Sequence, residues 1–236
     1  MGGYIGQETM ELNRIYNEPR EETLGRMPEA FLDAIITDPP YGISYQSAWR
    51  TDRTQWKAKL ANDDKPCTEF LPDAFRVLKD QTPLIVFCEW RFQEVFREAI
   101  VDAGFNIKSH VIWDREWHGM GDLKGSFAPS HDIVWFATKG RYMFPFHRPT
   151  SVLRFPRVAA EDLEHPTQKP VDLIAYLIKT LTQEGDVIYD PFMGSGTLAV
   201  AANRLRRQWI GSEISSEYVE LANKRLEPYL AQEQLF

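Results

Sequence analysis

The chain has 236 residues, 43% of them hydrophobic, enough for one domain with a full core. Its net charge of −7 counts against a uniformly basic nucleic-acid-binding domain. Uncharged stretches are too short to cross a bilayer, Met1-Gly2-Gly3-Tyr4 lacks the regions of a signal peptide, and Cys67 and Cys88 supply neither a disulfide framework nor a four-ligand zinc site. The expected setting is reducing and cytoplasmic, with no membrane partner and no metal.

Apolar runs alternate with amphipathic ones, which predicts an α/β domain. The first predicted strand is Asn13–Tyr16. The second, Ala34–Thr37, runs into Asp38-Pro39-Pro40-Tyr41. An exocyclic amino nitrogen on a base is a poor nucleophile, because its lone pair is delocalised into the ring. Two acceptors on its hydrogens orient it for attack. Asp38 can supply one and the Pro39 carbonyl the other, in a turn that Pro39 and Pro40 stiffen. Tyr41 offers a face for the base to stack on. The plainer reading is a proline-rich turn with Asp38 as a local cap.

Between Ala48 and Lys59, Arg50, Arg53, Lys57 and Lys59 stand against one acid, Asp52, with Trp49 and Trp56 interleaved. Next come a helix over Thr68–Leu78, a strand over Leu84–Cys88 and a helix over Glu89–Ala103, which Gly104 can close. Cys67 sits at a helix start and reads as structural. Strands follow over Lys108–Trp113 and Ile133–Ala137. From Thr138 to Arg157 there is no Asp or Glu, while Lys139, Arg141, Arg148, Arg154 and Arg157 alternate with Tyr142, Phe144, Phe146 and Phe155. Both basic aromatic segments suit phosphate neutralisation with base stacking, which makes Trp49, Arg50, Arg53, Lys57, Arg141, Arg148, Arg154 and Arg157 candidate DNA contacts. The alternative is solvated loops whose aromatics fold back onto the core.

A helix over Val171–Gln183 leads to the strand Val187–Tyr189 and to Asp190-Pro191-Phe192-Met193-Gly194-Ser195-Gly196-Thr197. Gly194 and Gly196 allow the backbone to approach a ligand, and Thr197 opens a helix over Thr197–Arg206. The strand Trp209–Ser212 ends at Glu213, placed to accept from ribose hydroxyls, and a helix over Ser216–Leu230 follows. No lysine precedes Thr197, so a P-loop is excluded. A dinucleotide site is closer in pattern, but Asp190 would face its pyrophosphate. S-adenosylmethionine carries an ammonium and a sulfonium and no phosphate, so Asp190 favours it. A glycine loop this late in the chain needs a sheet completed by earlier strands. A circularly permuted Rossmann-like fold, with a seven-stranded mostly parallel sheet and helices on both faces, meets that need. It brings both acidic turns to one carboxyl edge.

In the order of its motifs the chain resembles the S-adenosylmethionine-dependent DNA amino-methyltransferases of the permuted beta class, along nearly its whole length. Asp38 to Tyr41 matches the family's catalytic motif, and Asp190 to Thr197 its cofactor motif. Ile210-Gly211-Ser212-Glu213 matches its ribose-binding acid. His165-Pro166-Thr167-Gln168-Lys169-Pro170 matches the segment preceding the glycine motif, which implies Thr167, Gln168 and Lys169 near the methionine carboxylate. Trp113-Asp114 and Ser130-His131-Asp132 match a segment lining the target-base pocket. The resemblance implies a single domain over 1–236, double-stranded DNA as substrate with base flipping, and a short target-recognition segment at 140–165. It leaves room for a homodimer and a cognate restriction nuclease. Asp at the first motif position implies methylation of adenine N6, with cytosine N4 as the alternative. A catalytically silent nucleic-acid-binding module and an NAD-dependent oxidoreductase are weaker readings. The chain departs from the family where Tyr16-Asn17-Glu18 stands in place of a Gly-Asp pair.

Overall fold

The computed structural model describes residues 10–41, 65–119, 123–159 and 168–233. Trp49, Arg50, Arg53, Lys57 and Thr167 lie outside the described residues. In chain order the elements are β1 (Arg14–Tyr16), α1 (Arg20–Arg26), β2 (Ala34–Thr37), α2 (Leu71–Val77), β3 (Thr82–Cys88), a 3-10 turn (Trp90–Phe92) and α3 (Gln93–Asp102). Then follow β4 (Asn106–Asp114), β5 (His131–Lys139), β6 (Val152–Arg154), α4 (Val171–Leu181), β7 (Val187–Asp190), α5 (Thr197–Arg204), β8 (Gln208–Ser212) and α6 (Ser216–Glu233).

The strands form one sheet in the order β1-β8-β7-β2-β3-β5-β4-β6. β5 runs antiparallel to both its neighbours, and every other pairing is parallel. Buried on both faces, β2 and β3 read as continuous apolar runs and not as alternating ones. Successive side chains still part to opposite faces. Ala34, Ile36, Ile85 and Phe87 pack with α4, α5 and α6 residues such as Leu177, Leu198 and Leu226. Ile35, Leu84, Val86 and Cys88 pack against α1, α2 and α3 through Leu24, Ala74, Phe96 and Ile100. Three layers with two cores result.

The sheet has eight strands among the described residues, one more than expected. The addition, β6, is a three-residue edge strand beside β4, too short to announce itself by periodicity. Helix α1 also escaped the sequence reading; its seven residues include Gly25 and bury only Thr23 and Leu24. Among the described residues, no helix is long and apolar enough to cross a membrane.

Gly196 has a left-handed φ of +79°, and a Cβ there would lie 2.8 Å from the Ala222 Cβ on α6. The close approach it serves is α6 against the turn entering α5. Gly185 has a similar φ of +86° with nothing within 4 Å of a built Cβ. Gly185→Ala is therefore expected to cost about 1–2 kcal/mol of backbone strain alone. Gly196→Ala adds overpacking, for a total on the order of 2–5 kcal/mol. Chemical denaturation checks this: equal losses at the two positions would show that α6 yields freely.

Candidate active site

The carboxyl ends of β2 and β7 are neighbours, because Ile35 pairs with Tyr189 in parallel register. Asp38 and Asp190 leave the sheet side by side as a result. The Thr37 hydroxyl, at the last position of β2, donates to Asp190 Oδ1 at 2.8 Å. Both turns are held to one another before any ligand arrives.

In the β2 turn, the Tyr41 hydroxyl donates to Asp38 Oδ1, and Lys169 Nζ donates to Asp38 Oδ2. The Cys67 amide donates to the Pro40 carbonyl at 3.0 Å, and Tyr41 bridges to Pro66, which fixes the turn from outside. Among the described residues no donor reaches the Pro39 carbonyl. Burial, then the Asp38 carboxylate, pushes the Tyr41 hydroxyl well above the usual tyrosine range. Burial also pushes the Cys67 and Cys88 thiols up, to about 11 and about 12. Neither supplies a thiolate nucleophile, and Cys67 acts through its backbone, in keeping with its structural assignment.

Lys169 Nζ lies 5.2 Å from the Phe87 ring centroid and 6.0 Å from those of Tyr41 and Trp113. The Lys169 ammonium sits on Asp38, within an aromatic enclosure. Trp113, at the end of β4, is held by its own Nε1, which donates to the Phe155 carbonyl at 2.8 Å. Asp132, on β5, is paired with Arg115 at 3.6 Å.

The β7 turn is built differently. The Phe192 amide donates to Asp190 Oδ1 at 3.0 Å, and burial raises the Asp190 carboxyl to about 7. Asp38 and Glu213 add to that rise. Among the described residues no cation pairs with Asp190. Glu213 accepts from the Gly194 amide and the Ser215 amide, each at 2.9 Å, and burial raises it as well. Tyr16 and Asn17 brace this acid from the end of β1: the Glu213 amide donates to the Tyr16 carbonyl at 3.0 Å, and Asn17 Nδ2 to the Glu213 carbonyl at 2.9 Å. Among the described residues neither acid that flanks the loop pairs with a cation, so the loop suits a positively charged ligand with hydroxyls better than a pyrophosphate.

Several residues of this turn serve the fold. Ser195 is buried and accepts from Arg225 at 2.9 Å, a link to α6 with no sequence signature. Phe192 meets Phe70 edge to face at 5.4 Å, with the Arg20 guanidinium over it. Thr197 and Pro191 are buried. Gln168 precedes Lys169 at the entry to α4. Thr37, Phe87 and Arg225 are site residues that the sequence reading passed over. Thr37 alone carried a signal: a hydroxyl immediately before Asp38.

The basic segment after β5 divides in two. β5 runs antiparallel, so Lys139 ends at the amino edge of the sheet, opposite Thr82. Arg141 follows there, away from Asp38, and the Tyr142 hydroxyl donates to the Leu181 carbonyl at 2.8 Å. Tyr142, Phe144 and Phe155 pack against the core, and Phe146 stays exposed. The chain returns past an exposed Arg148 through β6, which runs parallel to β4 and delivers Arg154 and Arg157 to the carboxyl edge. Arg154 lies 3.6 Å from Asp114, and the Arg157 guanidinium stacks 3.5 Å over the Trp117 ring.

Comparison with known proteins accords with this geometry. Residues 32–151 and 145–224 match the profile of the DNA methylase family of N6 and N4 type. The Type II methyltransferase M.HpaI of Haemophilus parainfluenzae is 29% identical over 230 residues, covering 87% of this chain and 71% of that protein. The crystal structure of the M1.HpyAVI complex with S-adenosylmethionine superposes with a TM-score of 0.68 at 24% identity, over 90% of this chain and 99% of the other. PvuII DNA methyltransferase, described as cytosine-N4-specific, superposes with a TM-score of 0.72 at 18% identity, over 89% of this chain and 85% of the other. The matched span takes in both acidic turns and the strands that carry them, and this chain belongs to the DNA methylase family.

Proposed function

We propose that the chain transfers a methyl group from S-adenosylmethionine to the N6 amino group of adenine in DNA. The observation that carries the reading is the adjacency of two unlike acidic turns at one sheet edge, tied by Thr37 to Asp190. Bound there, S-adenosylmethionine supplies an electrophilic methyl on a sulfonium. Asp190 is the partner for its ammonium, and the free acceptor capacity of Glu213 is available to its ribose hydroxyls. Asp38 and the Pro39 carbonyl accept from the two hydrogens of the target amino group and turn its lone pair outward. Asp38 is also the nearest acceptor for the proton that the nitrogen sheds. Tyr41, Phe87 and Trp113 supply aromatic walls for a base taken out of the duplex. Adenine is favoured over cytosine by the aspartate at the head of the catalytic turn. The segment 140–165 is short dedicated recognition material, of which the part around Arg154 and Arg157 borders the site.

Asp38→Ala is expected to lower methyl transfer by a factor on the order of a hundred to a thousand. S-adenosylmethionine affinity, measured by calorimetry, should not fall. Turnover close to wild type would remove Asp38 from the reaction.

Asp190 makes cofactor binding depend on pH. Its carboxyl holds its proton more tightly folded than unfolded, being raised to about 7 from an ordinary 3.8. The stability it contributes is fully present below about pH 4 and is lost as pH rises through about 7. An ammonium beside it reverses that preference. S-adenosylmethionine should therefore bind with proton release below pH 7 and tighten as pH rises towards 7, whereas Asp190→Asn loses both affinity and this dependence. Calorimetry in buffers of different ionisation enthalpy reads the proton directly; no proton exchange in the wild type would move the ammonium elsewhere.

For DNA, Arg154→Ala and Arg157→Ala should each reduce the log–log salt slope of binding by about one unit. Arg141→Ala, at the opposite edge, should leave it unchanged. An equal effect of all three would mean that DNA does not lie along the carboxyl edge.

A further inference from the structure

We propose that Lys169 is a lock on the target-amino position, holding Asp38 until the carboxylate of the bound cofactor draws it away, so that base recognition follows cofactor binding. The inference rests on the methyl-transfer reading above and adds an order of events to it.

Both carboxylate oxygens of Asp38 are engaged by the protein itself, one by the Tyr41 hydroxyl and the other by Lys169. The Lys169 side chain is only 11% exposed and that of Asp38 23%. The ammonium is enclosed by Phe87, Tyr41 and Trp113, the rings proposed to receive the base. A cation thus stands where a neutral amino group must donate. Charge-assisted hydrogen bonds are roughly twice as strong as neutral ones. An adenine amino group alone is therefore a poor competitor for Asp38.

The lock has a built-in release. Lys169 precedes Pro170, the N-cap of α4, which is extended at φ −60° and ψ 134°. The root of the side chain is fixed there while its four-carbon stem can swing. Asp190 lies close enough to Asp38 to feel its charge. A cofactor whose ammonium sits on Asp190 carries its carboxylate on the same carbon, which brings an anion within the sweep of Lys169. Moving the ammonium to that anion frees Asp38 Oδ2. By linkage, cofactor and amino group then bind with positive coupling.

The probe is deoxyadenosine, with purine deoxyriboside as its counterpart lacking the amino group, titrated by calorimetry against the whole chain. For the wild type, S-adenosylhomocysteine should strengthen deoxyadenosine binding at least about tenfold, the scale of one hydrogen bond to a charged group. Methylthioadenosine, which lacks the amino-acid part, should give no such gain. Lys169→Met should bind deoxyadenosine tightly without any cofactor analogue and gain nothing further from S-adenosylhomocysteine. Lys169→Arg, which keeps the cation, should behave as the wild type. Purine deoxyriboside should not respond in any of these cases. Thermal unfolding confirms that each variant is folded.

Equal gains for both nucleosides would overturn the proposal, as would wild-type affinity in Lys169→Met or no deoxyadenosine binding to that variant. Methyl transfer to plasmid adenine by the same wild-type preparation separates the two levels. With transfer present and the gains absent, only the lock falls. With no transfer to adenine, the reading and the lock fall together.

Discussion

The parallel pairing of β2 with β7 is the constraint on which the site depends. It brings together two turns that lie about 150 residues apart in sequence, as the separation of 153 between Thr37 and Asp190 records. The hydrogen bond between those residues is buried, so neither group can be lost without leaving the other unsatisfied in a dry setting. A doubly wound sheet collects ligands at its carboxyl edge. Here the same edge receives both an acid suited to a cation and an acid suited to an amino group.

These acids do different work because their surroundings differ. Asp190 is buried, takes one hydroxyl and one amide, and has no cation among the described residues, so its carboxyl rises to about 7. Asp38 is paired with Lys169 and with Tyr41. The first arrangement stores an unmet demand for positive charge, which a ligand can satisfy. The second meets that demand internally, so in the proposed order of events the lysine moves before the carboxylate serves a base. Removing one partner of such a pair leaves a charge exposed to a low-dielectric pocket, where its interactions are strong.

Much of this was legible in the sequence. Each of the seven predicted strands is present, because a short apolar run such as Ala34–Thr37 or Leu84–Cys88 suits a strand covered on both faces. The two acidic turns were legible too, since proline and glycine restrict or free the backbone locally. What depends on topology was not. The antiparallel course of β5 sends Arg141 to the far edge and returns Arg154 to the near one, although both belong to one basic segment. The packing of Gly196 against Ala222 on α6 is a contact of the same kind, with no local signature. The pairing of Lys169 with Asp38 joins residues 131 positions apart and leaves no local trace.

The most direct test of the account is the chemistry of the product. Plasmid DNA from a methylase-free host expressing this chain, digested to nucleosides and analysed by mass spectrometry, should contain N6-methyladenine, and should lack it when Asp38 is replaced by alanine. N4-methylcytosine in its place would contradict the choice of base and leave the two-turn site standing. Neither modified nucleoside, from a protein that binds S-adenosylmethionine, would contradict the account at its centre.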